Sequence, residues 1–199
     1  MSSRIQQLNN TAADLVARVS KSVVHIGNGS SGGAGTVWHP DGLIVTNAHV
    51  AQGESLWATL SDGRSLRAQV LAHDRRRDIA ALSVDATGLP AIELGDSRSL
   101  QAGQWVFALG HPFGVRDALT GGVAIGTGSN WNQGPLAGME WLMLGLHLRP
   151  GNSGGPVFDT EGRMVGISTA LDGPESGLAV PIHLAKRFLQ DSLRLTTAA

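Results

Sequence analysis

Arg149-Pro-Gly-Asn-Ser-Gly-Gly-Pro-Val-Phe158 sets a single serine in a glycine-rich turn that runs straight into an apolar strand. A nucleophilic serine needs such a setting. Its hydroxyl must stand clear of other side chains, and backbone N–H groups of the same turn must converge on the carbonyl oxygen that becomes negative in the transition state. An ordinary turn is the plain alternative for Gly-Asn-Ser-Gly taken alone. The letters also satisfy Gly-x-Ser-x-Gly, the strand-turn-helix elbow of open α/β sheets, which requires a helix after the serine, then an acid and a histidine downstream. Pro156 forbids most of that helix, and the one later histidine, His183, sits in the terminal amphipathic segment. The α/β reading is set aside on both counts.

Outward from this turn the chain is a succession of short β-branched runs. On the serine's side they fall at 105–109, 122–126, 141–146, 156–158, 164–168 and 178–180. Ahead of them lies a matching series at 22–26, 35–38, 43–46, 55–60, 65–72 and 79–84. Turn chemistry such as Pro40-Asp41-Gly42 and Ser61-Asp62-Gly63-Arg64 separates antiparallel neighbours, at the spacing of a barrel or sandwich. Residues 88–103 are turn-rich and weakly periodic, which puts a boundary near residue 97 and divides the chain into 1–97 and 98–199. A short helix is predicted over 11–19, capped by Thr11 and apolar along Leu15, Val16 and Val19. After Pro181, the steps between Ile182, Ala185, Phe188, Leu189 and Leu193 predict a closing helix. The class is therefore all-β with a helix at each end.

Composition narrows the function. Glycine, at 27 of 199 residues, is about twice its usual share, as suits many tight turns. Cysteine is absent, so no disulfide framework holds the fold. The net charge is −1 without long like-charged blocks, and Arg75-Arg76-Arg77 is flanked by Asp74 and Asp78, so no nucleic-acid role is expected. There is no apolar run long enough for a membrane span. The opening Met-Ser-Ser-Arg-Ile-Gln-Gln-Leu-Asn-Asn lacks a signal-peptide core. That reads as cytoplasmic if this is the whole chain, and as periplasm or cell envelope if a leader has been removed.

A serine hydroxyl needs a base. Most of the seven histidines sit beside strands or turns, and none forms a metal-ligand pair such as His-Glu-x-x-His. His49 differs, because it follows the apolar strand Leu43-Ile-Val-Thr-Asn47 where the chain leaves through a polar turn. The third member must be a carboxylate that fixes one tautomer of the imidazole and stabilises its charged form. Asp78 opens an apolar strand, whereas the competing Asp74 neighbours three arginines and suggests a solvated loop. The candidates then run His49, Asp78, Ser153 along the chain, the chymotrypsin order. No metal or cofactor is called for.

Five motifs carry a resemblance: Thr46-Asn-Ala-His-Val50, Asp78-Ile-Ala-Ala-Leu82, Leu109-Gly-His-Pro-Phe-Gly114, Gly151-Asn-Ser-Gly-Gly-Pro156 and Gly177-Leu-Ala-Val-Pro181. Together they resemble the protease domain of the HtrA (high-temperature-requirement) family, from about residue 11 to 190. The resemblance implies two six-stranded antiparallel β-barrels with the site between them. It also implies an oxyanion hole from the N–H groups of Gly151 and Ser153, protein or peptide substrates, a role in quality control of unfolded or damaged proteins, and a homotrimer. The trimer also draws on the apolar face of residues 12–19, for which packing on the chain's own barrel is the alternative. The segment stops at Ala199, ahead of the PDZ domains in which members of the family usually continue. Gly145-Leu-His-Leu-Arg-Pro150 replaces the family's usual aspartate and Asn-Pro, so loop switching is expected to differ.

In trypsin-like enzymes the position six residues before the nucleophile lies at the base of the primary pocket, and here it is His147. A neutral imidazole gives no fixed negative charge to hold lysine or arginine. With Leu148 beside it and Ser168, Thr169 and Ala170 as another wall, a small or medium apolar residue is expected before the scissile bond; Asp172 or Glu175 could upset this by reaching in. Gly27-Asn-Gly-Ser-Ser-Gly32 matches Gly-x-Gly-x-x-Gly, but a second strand and not a helix follows it. The rival to peptide-bond hydrolysis is a catalytically silent binding module on the same barrels, since a fold does not fix an activity.

Overall fold

The computed structural model describes residues 3–29, 32–53, 55–128, 138–171 and 176–193. Twelve strands form two closed antiparallel barrels. The first holds β1 (Val23–Gly27), β2 (Gly32–His39), β3 (Leu43–Thr46), β4 (Leu56–Thr59), β5 (Ser65–Asp74) and β6 (Ile79–Val84), in the order β1-β2-β3-β6-β5-β4. The second holds β7 (Trp105–Gly110), β8 (Ala118–Gly128), β9 (Trp141–Gly145), β10 (Pro156–Phe158), β11 (Met164–Leu171) and β12 (Gly177–Pro181), in the order β7-β8-β9-β12-β11-β10. Numbered from its own first strand, each barrel follows the same path. Both close on themselves, β1 on β4 and β7 on β10, which leaves no free sheet edge among the described residues.

Each barrel has its own filling. Val24, Ile26, Ile44, Leu56 and Leu82 occupy the first, and Val106, Leu142, Leu144 and Val157 the second. A third cluster lies between them, where Val45 and Ile79 join Leu109, Phe158 and Ile167. Each fully buried large side chain contributes roughly 1.5–3 kcal/mol, so the barrels are held against each other by a packed apolar seam. Helix α2 (Ile182–Leu193) buries Ile182, Ala185, Phe188 and Leu189, with Ala185 three residues after Ile182 and three and four residues before Phe188 and Leu189, and covers part of that seam.

The N-terminal helix corrects the sequence reading. Helix α1 spans Arg4–Val19, 16 residues, and its cap is Ser3, whose hydroxyl accepts from the Gln6 N–H at 3.2 Å. Thr11 lies mid-helix and donates to the Gln7 carbonyl at 2.9 Å, a local bond that a threonine makes inside a helix as readily as at its start. Leu15 and Val19 are buried in the chain's own core and flank Gly162 in the β10–β11 turn, where the Arg18 guanidinium also donates to the Glu161 carbonyl. The apolar face read as spare is therefore used within the chain, and it carries no argument for an assembly.

Candidate active site

His49 and Asp78 are brought together inside the first barrel. β3 pairs with β6, Thr46 opposite Ala80, so the turn leaving β3 and the residue entering β6 meet at one barrel end. There His49 Nδ1 lies 2.8 Å from Asp78 Oδ2, and the His49 backbone N–H donates to Asp78 Oδ1 at 3.0 Å. Asp78 adopts φ 54, a left-handed conformation that aspartate tolerates better than most residues. The buried Asn47 steadies it, its side-chain amide donating to the Asp78 carbonyl at 2.9 Å. Asp74 is spent elsewhere. It accepts the N–H groups of Arg76 and Arg77 and pairs with the Arg77 guanidinium at 2.9 Å, which shapes the arginine loop.

Ser153 comes from the second barrel. The turn ahead of it is closed by the Asn152 N–H on the Arg149 carbonyl at 2.9 Å, and Gly151 sits at φ 102. A β-turn with Pro at its second position and positive φ at its third calls for glycine there. A Cβ at Gly151 would stand 2.6 Å from the His111 carbonyl oxygen, and one at Gly154 only 2.1 Å from that of Ala34. The glycines thus let the turn press against both barrels. The Ser153 carbonyl accepts the Ala34 N–H at 2.8 Å, a direct link across the cleft. Among the described residues, the N–H groups of Gly151 and Ser153 have no acceptor in the chain.

The Ser153 hydroxyl donates to the Thr169 carbonyl at 3.1 Å and not to the imidazole. Thr169 also donates its own hydroxyl to Asp78 Oδ2. This threonine, 91 residues after Asp78 in sequence, contacts both Asp78 and Ser153, and sequence reasoning assigned it only to a pocket wall. No local pattern marks the link, because it depends on how the barrels face each other. Ser168 is fully buried and its hydroxyl donates to the Asn152 and Gly155 carbonyls, so it braces the nucleophile turn from behind. Leu148 is buried against Gly177, whereas His147 is exposed. Ala170 of β11 pairs with Leu178 of β12. Asp172 and Glu175 lie outside the described residues.

Residues 33–167 match the family described as the trypsin-like peptidase domain. A probable periplasmic serine endoprotease DegP-like from Halomonas elongata is 38% identical over 159 residues, 77% of this chain and 33% of that protein. The putative serine protease HhoB of Synechocystis sp. is 35% identical over 164 residues, 80% of this chain and 39% of its own length. The chain thus spans little more than a third of these curated relatives. Among solved structures, an HtrA-type protease AlgW with decapeptide superposes with a TM-score of 0.83 at 28% identity, covering 92% of this chain and 67% of that one.

Proposed function

This chain belongs to the family of trypsin-like peptidase domains, in its HtrA-type branch, and from that premise we propose that it is a serine endopeptidase whose triad is His49, Asp78 and Ser153. The observation that carries the reading is the 2.8 Å bond between His49 Nδ1 and Asp78 Oδ2, which fixes the tautomer that leaves Nε2 free to accept a proton. The Ser153 hydroxyl turns from the Thr169 carbonyl to the imidazole. Its oxygen then adds to the substrate carbonyl carbon while His49 takes its proton. The N–H groups of Gly151 and Ser153 receive the negative oxygen. Protonated His49 hands that proton to the leaving nitrogen, the C–N bond breaks and an acyl-enzyme remains. Water, deprotonated in turn by His49, then releases the acid.

The primary pocket, on this reading, is bounded by His147, Leu148 and the strand residues Ser168, Thr169 and Ala170, and takes small or medium apolar residues. Substrates are unfolded or damaged proteins. The working form is a homotrimer in the cell envelope, as the periplasmic names of the relatives favour over the cytoplasm. Its two units divide near residue 97, in the connector between β6 and β7. Among the described residues no helix is long and apolar enough to cross a membrane.

A silent binding module is the second reading, favoured by the serine hydroxyl's bond to Thr169. A fluorophosphonate probe decides between them. Covalent labelling of the wild type, lost in Ser153→Ala, is expected for an endopeptidase, and an unlabelled wild type would support the silent module.

A further inference from the structure

The nucleophile turn is held from both barrels, and each hold leads back to a histidine. From the second barrel, the His111 N–H donates to the Gly151 carbonyl at 3.0 Å. The backbones interlock there: a Cβ at Gly110 would stand 2.7 Å from Asn152 Cα, and one at Gly151 2.6 Å from the His111 carbonyl oxygen. From the first barrel, the Ala34 N–H donates to the Ser153 carbonyl at 2.8 Å, and Ala34 is the cross-strand partner of His25 on β1.

The circuit closes through the two imidazoles. They meet edge to face across the barrels, centroids 5.7 Å apart and planes at 66°. His111 is buried, 8% exposed, so its ring seats the backbone that carries the donor to Gly151, whereas His25 is exposed. The anchor matters because of what Gly151 is. At φ 102 and without a Cβ it is free to rotate, and only with its carbonyl held does its N–H keep a fixed aim.

That packing suits neutral rings. Partial burial and then Arg116 hold His25 below the ordinary imidazole range. Burial does the same for His111, with His25 and Arg116 adding to it against the pull of Asp117 and the Val24 backbone. His111 Nδ1 also accepts the Asp117 N–H at 3.4 Å, and a proton on that nitrogen sets donor against donor. Two imidazolium rings side by side, with the Arg116 guanidinium near, repel each other. Among the residues that line the cavity of about 280 Å³ beside the rings, no other is charged, and the space holds several waters that carry protons to the pair.

We propose that His25 and His111 are positioning residues for the oxyanion donors: the neutral pair keeps the Gly151 peptide aimed, and protonation of the pair releases the turn and lowers turnover at acid pH. The inference rests on the endopeptidase reading. Oxyanion donors act on the transition state, so kcat and not KM carries the loss.

Steady-state kinetics on an internally quenched decapeptide with valine before the scissile bond, from pH 8 to 4.5, test it, with tryptophan fluorescence confirming the fold at each pH. In the wild type, log kcat should fall with a limiting slope of about two, because the base and the pair protonate separately. In His25→Asn and His111→Asn the slope should relax to about one, and kcat at pH 5 should exceed that of the wild type on the order of three- to tenfold with KM little changed. A slope of about one in the wild type, or a steep limb that survives both substitutions, overturns the proposal. His25 is exposed, so His25→Asn serves even if His111→Asn does not fold. A second readout needs no activity. In ¹⁵N-labelled Ser153→Ala, the Gly151 amide resonance should move with pH through a midpoint below about 6.5, and move less once His25→Asn is added. If the wild type neither cleaves nor takes the fluorophosphonate at pH 8, the endopeptidase reading falls. A Gly151 amide that ignores pH, or titrates identically without His25, overturns the positioning role alone.

Discussion

His49 and Asp78 meet within one barrel across a 2.8 Å bond, whereas Ser153 enters the cleft from the other barrel with its hydroxyl bonded to Thr169. His49 and Asp78 flank neighbouring strands of a single closed sheet, so strand register brings them to the same barrel end. The nucleophile depends on a glycine turn wedged between barrels and braced by Ser168 and the Ala34 N–H. One half of the site is built into a sheet. The other half is a posture that inter-barrel contacts maintain.

The largest expected effect removes the nucleophile. Ser153→Ala should lower peptide turnover by about 10⁴-fold or more, leaving only binding and the oxyanion donors, while the His49–Asp78 bond persists. Casein cleavage retained in that variant would show that the two halves do not act as a unit. Next comes the acid. Asp78→Asn keeps the shape of the pair but holds the imidazole in the wrong tautomer, and a loss on the order of 10³- to 10⁴-fold in kcat is expected. Asp74→Asn is the control, since Asp74 shapes the arginine loop, and a comparable loss there would overturn the assignment of the acid to Asp78.

Thr169→Val tests the tie between the halves. It deletes the hydroxyl donor to Asp78 while keeping the backbone carbonyl that Ser153 uses. We expect kcat to fall roughly tenfold and stability by about 1–3 kcal/mol, the cost of removing a hydrogen bond to a half-buried carboxylate, with Thr169→Ser recovering both. Urea denaturation and steady-state kinetics on the three proteins check it. Equal kcat in all three would make Thr169 a wall and nothing more.

The smallest effect concerns pH and belongs to the nucleophile side. Burial lowers the pKa of His111, whose backbone holds the Gly151 carbonyl. A histidine depressed in the folded state binds its proton first in the unfolded chain, so its stabilising contribution is complete above the unfolded value of about 6.5 and is lost as pH falls through that value toward the folded one. The urea midpoint should therefore drop between pH 7.5 and 5, and His111→Asn should flatten the decline. An unchanged slope in the variant would place the acid sensitivity elsewhere, with His25 the next group to replace.

The twelve strands and the two terminal helices were legible in the sequence, as were His49, Asp78 and Ser153 as candidates for the site, because each is a local pattern. Alternating β-branched runs mark strands, and a glycine turn before an apolar run marks an exposed serine. The strand at Ile79–Val84 was read to the residue, since Asp78 and the arginines before it end the apolar run sharply. The start of α1 was not, because Ile5 and Leu8 stand among five polar residues and Thr11 offers a second plausible cap after Ser3. The tertiary structure alone decided that Leu15 and Val19 bury against the chain itself, that Thr169 bridges Asp78 and Ser153, and that His25, His111 and Phe113 surround one cavity. Those facts require groups tens of residues apart to meet. Sequence periodicity says which face of a strand is apolar, but the closure of the barrels and their packing against each other settle what that face touches.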